Sequence, residues 1–428
     1  MFDQCKALII GLQKRGAVVG SSLNTAYLLE RLSQTLERLE TLMAIFVSNR
    51  YLPRRILLLT GCFARAAAER HSISRLWKQS SGLMARSVTQ NAGDHGEHYI
   101  TRDKKEYWAM FYSAAGGGVL IALMALFKTY LGSIIDDKVW KGIAEGLNYG
   151  LGFMVIFMLH FTVATKQPAM TAARFAEAVE KTPQGKTVNM KLAQLLVDVF
   201  RSQSIAVLGN VLIAMGLAAL IAFGYQYKTG EPLMNADQIA YQLHSIDPFA
   251  GTLWFAAIAG VWLFCSGIIS GYFDNRSNYL NMRMRLTQHP LLKKLMSEKT
   301  RVKFANYMHE NYGSLIGNLC FGMLLGITGV VGYLTHLPLD IRHVAFSSAN
   351  VGYIAVSGQF TYSLLLQCIG FVLLIGLVNL IVSFSLTLWV ALRSLNAEID
   401  SWWPIWHEVC QIVKKRPLSL FLPVQLDK

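Results

Sequence analysis

Asp94, His95, Glu97 and His98 crowd into five consecutive positions, and a further histidine, His160, closes a long apolar run that leaves through Lys166. Imidazole and carboxylate side chains suit zinc, manganese or iron. If the fold brings His160 to the earlier cluster, three or four ligands become available to a divalent metal, the one cofactor the residues suggest. The spacing matches no standard metal motif, and HEXXH is absent. A polar membrane-entry loop, its carboxylates capping helices, accounts for the same residues without a metal. His95, Glu97, His98, His160 and Lys166 thus form one candidate site, polar or metal-binding.

Two further groups carry chemistry. Asp274, Asn275 and Arg276 stand where the fourth apolar stretch ends, so an Asp–Arg pair there would be poorly solvated. It reads either as a helix-end charge pair or as a clamp for a headgroup or phosphate. Asp340, Arg342, His343, Ser347, Ser348 and Asn350 lie in the connection Leu337–Gly358, which is unusually apolar for an exposed loop. Irregular backbone at membrane depth is tolerated only when buried in protein or lining a cavity. This connection is therefore expected either to dip back into the bundle, gathering Asp340, Arg342, His343 and Asn350 as an outer polar cluster, or to serve as turns and caps.

The elements that must position these groups are set by composition. The chain is 53% hydrophobic and 15% charged, against about 25% charged in ordinary soluble domains. Six apolar stretches stand out, at about 109–131, 144–165, 205–225, 250–273, 314–335 and 364–392. Each approaches the roughly 20 apolar residues that a helix needs to cross hydrocarbon. The expected fold is all-α: a polytopic α-helical membrane protein with about six transmembrane helices and an N-terminal cytosolic helical hairpin. The expected division is 1–106 cytosolic helices, 107–400 the six-span bundle with cytosolic loops 166–204 and 274–313, and 401–428 an interfacial tail. Met1 to Gly20 lacks the apolar centre of a cleavable signal.

The net charge of +14 is patterned: 35 of the 40 Lys and Arg residues fall in alternate segments between the apolar stretches. Cytosolic loops carry such an excess, so both termini are expected in the cytosol. Topology explains most of the charge. Anionic lipid headgroups are a further partner, and nucleic acid is the weaker reading. The six cysteines show no CxxC spacing, which argues against a disulfide framework or thiolate metal site.

Residues 21–48 place Tyr27, Leu28, Leu32, Leu36, Leu39, Met43 and Phe46 on one helical face, suited to a cytosolic partner helix. A second helix is expected from Arg54 to about Val88. Cytosolic helices are expected at 169–181 and 188–203, a loop over 226–249, and a basic helix over 283–303. Gly116–Gly118 and the glycines of 313–332 predict close helix packing. A long last helix, Tyr362 to Leu395, leads to Trp402, Trp403 and Trp406 at an interface.

SLNTAYLLERLSQTLERLE, GEHYITRDKKEYW with its Gly triplet, HFTVATKQPAMTAA, GNLCFGMLLG, PLDIRHVAFSSAN and NLIVSFSLTLWVALRS together resemble a bacterial integral-membrane family named site-specific recombinase (Gcr). The resemblance runs from about Ser22 to Arg393. It implies a bacterial inner-membrane location, a further N-terminal helical region in other members, and DNA strand exchange. The residues themselves point elsewhere. A tyrosine recombinase pairs its nucleophile with a His-x-x-Arg motif, and none of the ten histidines has Arg at the third following position. The residues favour a non-enzymatic inner-membrane protein, transporter-like, lipid-interacting or scaffold, with a polar site near the cytosolic end of the second span. The alternatives are site-specific recombination or a metal-dependent membrane enzyme acting on a lipid headgroup.

Overall fold

The computed structural model describes residues 2–19, 23–47, 52–69, 100–101, 103–163, 172, 175, 178–179, 186–357, 360–394, 399 and 401–423. Every regular element among them is helical. In chain order these are α1 (Phe2–Val19), α2 (Leu23–Val47), α3 (Leu52–Glu69), α4 (Lys104–Ile134), α5 (Lys138–Met158), α6 (Lys186–Thr229) and α7 (Ala236–Ile246). They continue with α8 (Thr252–Tyr279), α9 (Met282–Gln288), α10 (Pro290–Leu295), α11 (Glu298–Thr335), α12 (Val344–Ala355), α13 (Tyr362–Ser394) and α14 (Trp403–Lys415).

The fold is that of an all-α polytopic protein. Five helices are long and apolar enough to cross a membrane: Lys104–Ile134, Met190–Thr229, Thr252–Tyr279, Glu298–Thr335 and Tyr362–Arg393. The expected second span, 144–165, corresponds to the 21-residue α5, which is not among them. Lys141, Glu145 and Asn148 dilute its first half, and the helix stops at Met158. Five described helices thus meet the length and apolarity of a span, where about six spans are expected, and α5 falls short on composition alone.

Three other expectations change. The helix at 188–203 and the span at 205–225 are one helix, α6, of 44 residues. The polar step Arg201–Ser204 changes what surrounds the helix, but none of these residues breaks its backbone. The loop 226–249 contains α7, started by a capping box in which Asn235 and Gln238 bond each other's backbone amides. The basic helix 283–303 is broken into α9, α10 and the start of α11, because Pro290 cannot continue the preceding turn.

The chain forms two compact units, Met1–Asn91 with Gly271–Tyr312, and Ala92–Ser270 with Gly313–Lys428. In the first, α1 and α2 are joined by Lys6 and Glu40, 2.5 Å apart. The α2 stripe of Tyr27, Leu28, Leu32, Leu39 and Met43 is exposed. Ser277 bonds the Nδ1 of His309 at 3.0 Å.

The core of the second unit is built around α12. This twelve-residue helix buries ten of its residues, among them Phe346 and Tyr353, which join Ile121, Tyr149, Phe153, Ala218 and Phe321 in one cluster. The Tyr149 and Phe346 rings lie 4.5 Å apart, and the Tyr353 hydroxyl donates to the Ala122 carbonyl at 2.7 Å. The segment before it is fixed at three points. Trp254 Nε1 donates to the Pro338 carbonyl, Arg342 N to the Phe255 carbonyl, and Arg342 Nε to the Ser245 carbonyl. The Leu337–Gly358 connection thus does enter the bundle, as a helix. Helices α5 and α11 cross on glycine: a Cβ on Gly322 or Gly326 would meet the backbone of Gly150 or Gly146.

Candidate functional site

The start of α12 opens onto a cavity of about 440 Å³. Helix α4 contributes Lys128, α5 contributes Lys141, Glu145 and Tyr149, and α7 contributes Asp237 and Tyr241. Asp340, Arg342, His343, Ser347 and Asn350 complete the wall. The structure therefore brings together all four residues of the outer cluster read from the sequence. Asp340 accepts from Arg342 Nη1 at 2.6 Å, and Arg342 also donates to the Ile341 carbonyl. The guanidinium lies 5.4 Å over the Phe255 ring.

The second pair joins two helices. Lys128 Nζ lies 3.4 Å from Glu145 Oε2 and 5.6 Å over the Tyr149 ring. Their side chains are 38% and 14% exposed, so the carboxylate is much the better shielded of the two. His343 is buried with its ring about 6 Å from those of Phe321 and Phe346. It helps to fix the start of α12 in the core. Asn379 on α13 holds the same point from the other side, as described below.

The other sequence candidates lie elsewhere. His160 follows the end of α5 in the left-handed region, at φ +58°. Phe161 N reaches back to the Ile156 carbonyl across it, the arrangement of a Schellman cap. Its side chain is exposed. The chain beyond it lies along α4: Ser113 Oγ donates to the His160 carbonyl, and Thr162 N to the Ser113 carbonyl. The Gly triplet makes room for this, since a Cβ on Gly117 would strike the Thr162 carbonyl. His160 therefore has a backbone role, and the charged cavity sits at the opposite, N-terminal half of α5. His95, Glu97, His98 and Lys166 lie outside the described residues, so no metal geometry involving them is defined. Among the described residues no three His, Cys, Asp or Glu side chains are grouped to hold a metal.

At the third candidate, exposed Arg276 donates to Tyr272 OH one turn earlier. Asp274 stands two residues away on the same helix, a spacing that points side chains to different faces.

Several cavity residues are missed by the sequence reading although signals for them exist. Glu145 and Lys128 are ionisable residues in or beside apolar runs, which usually face a bundle interior. Asn235-x-x-Gln238 is a helix-start signature ahead of Asp237 and Tyr241.

The family model described as site-specific recombinase matches residues 1–423. The chain belongs to that family. No curated protein and no solved structure matches it.

Proposed function

We propose that this member of the site-specific recombinase family is a membrane-embedded, transporter-like protein that binds a small polar solute in the α12 cavity, without catalysing a reaction. The observation that carries the reading is α12 itself. A short helix buried on nearly all sides, with two ion pairs at its entrance, is costly to build into an apolar bundle. Short helices ending near a bundle's interior are used by transporters to face a solute. The alternation of basic segments supports an inner-membrane location with both termini cytosolic, α5 then crossing as a sixth pass beside the five long apolar helices. On that orientation the cavity opens to the outer side. The exposed α2 stripe supports docking of a helical cytosolic partner.

The test is native mass spectrometry of the detergent-solubilised protein after incubation with neutral, singly charged and zwitterionic small solutes. A bound solute that disappears in Arg342→Gln, while that variant still elutes as a folded monodisperse species, is the expected result. An unmodified protein that retains none of them overturns the reading.

DNA strand exchange is the second reading, and one observation favours it. Residues 271–312 carry eight Lys or Arg against Asp274, Glu298 and Glu310. Binding carried by phosphate contacts alone falls steeply with salt. Duplex DNA that stays bound at high salt supports recombination over solute binding.

A further inference from the structure

We propose that the cavity takes a zwitterion, a small molecule with one ammonium and one carboxylate or phosphate group, either free or at the head of a lipid. This rests on the cavity being a solute site and names the chemistry it selects.

The wall carries three cations, Lys128, Lys141 and Arg342, and three carboxylates, Glu145, Asp237 and Asp340. Its formal charge is balanced. Lys128 with Glu145 and Arg342 with Asp340 neutralise each other. Among the described residues, Lys141 and Asp237 have no ion-pair partner. Asp237 is exposed and Lys141 half-buried, so water serves both without a guest, and a guest of single charge would gain from only one of them. A guest with both charges satisfies both, and charge mismatch is an effective way to reject the wrong partner.

The two poles are also chemically distinct. Arg342 uses Nε on the Ser245 carbonyl and Nη1 on Asp340 and the Ile341 carbonyl, which leaves Nη2 for a guest. Beside it, the N-cap residue His343 and, at the start of α12, Phe346 and Ser347 line the cavity. The positive end of that helix adds to the attraction for an anionic oxygen. On the other side, Asp237 and Tyr241 are one turn apart on α7, so carboxylate and aromatic ring share a face. A carboxylate with an aromatic ring is a good receptor for an ammonium. The volume of about 440 Å³ suits a molecule of amino-acid to small-peptide size.

The test measures thermal stabilisation of the full chain in detergent by glycine, 4-aminobutyrate and O-phosphoethanolamine, with acetate and methylammonium as controls of single charge. At least one zwitterion should raise the unfolding midpoint, and neither control should match it. Lys141→Gln and Asp237→Asn should each weaken that zwitterion about tenfold, whereas Glu231→Gln, outside the cavity, should leave it unchanged. Nanodiscs separate the two sources. Stabilisation by 4-aminobutyrate in pure phosphatidylglycerol points to a free solute. Stabilisation by phosphatidylethanolamine to which added O-phosphoethanolamine contributes nothing further points to a lipid head. Acetate or methylammonium binding as tightly as the zwitterions overturns the ligand class but leaves a solute site standing. No binding of any compound overturns both. The ligand series on the unmodified protein decides the matter even if a variant fails to fold.

Discussion

Asn379 Oδ1 accepts the backbone amide of Val344 at 3.2 Å, so a side chain from α13 caps the first residue of α12. Nδ2 of the Asn379 side chain donates to the carbonyls of Ala256 and Arg342, at 2.7 and 3.0 Å. One fully buried residue thereby ties α8, α12 and α13 at a single point. Helix α12 has no side-chain cap from its own N-cap residue, His343, which makes this long-range substitute necessary.

Asn379→Leu should therefore destabilise the second unit. Leaving a buried backbone amide without its acceptor costs roughly 1–3 kcal/mol. A lowered midpoint in detergent, read by intrinsic fluorescence, is the expected outcome. An unchanged midpoint would show that the cap is dispensable.

Gly352 on α12 and Gly370 on α13 should respond in opposite directions to alanine. A Cβ on Gly352 would run into the Met215 carbonyl of α6, which is backbone and cannot rotate aside. Overpacking of this kind costs roughly 1–3 kcal/mol. Nothing lies within 4 Å of a Cβ on Gly370, and Gly→Ala in an open helix gains up to about 1 kcal/mol. Paired thermal melts check both signs in one experiment.

Topology is testable through one thiol. Cys410 on α14 is exposed and Cys368 is buried. With both termini cytosolic, a variant keeping only Cys410 should react with a membrane-impermeant maleimide in inverted vesicles and resist it in intact spheroplasts. The reverse pattern would turn the proposed orientation over, and the cavity with it.

The α1–α2 contact should weaken in strong base. The hydrogen bond from Lys6 to Glu40 holds the ammonium above its usual range. A raised folded value means the contribution is complete below the free lysine value of about 10.4 and is lost as pH rises through the folded one. Both groups are well exposed, so the effect is small. Hydrogen exchange of α1, corrected for intrinsic rates, should quicken above that pH in the unmodified chain and show no such step in Glu40→Gln.

Much of this architecture was legible from length and hydropathy. The last helix was expected over Tyr362–Leu395 and runs Tyr362–Ser394, because an unbroken apolar run fixes both helix and extent. The outer cluster was legible too, since Asp340, Arg342, His343 and Asn350 lie within eleven positions in an oddly apolar connection. What the sequence withheld is pairing. Lys128 and Glu145 are seventeen residues apart on neighbouring helices, and no periodicity says that they meet. Asp237 reaches the same cavity from a segment whose polarity resembles a loop. At His160 the side chain suggests a ligand, and the sequence gives no sign that the position also answers a backbone demand for a left-handed residue.

The brevity of α12 bears on how the molecule is made. Twelve residues at 1.5 Å each give about 18 Å, little more than half of a hydrocarbon layer of roughly 30 Å. A segment so short, with Ser347, Ser348 and Asn350 along it, is a poor candidate to enter the bilayer unaided as it leaves the ribosome. Its receptacle, α4 and α6, has already been synthesised, and Asn379 arrives afterwards on α13. Order along the chain thus doubles as order of biogenesis: the seat, then the insert, then the residue that clasps it.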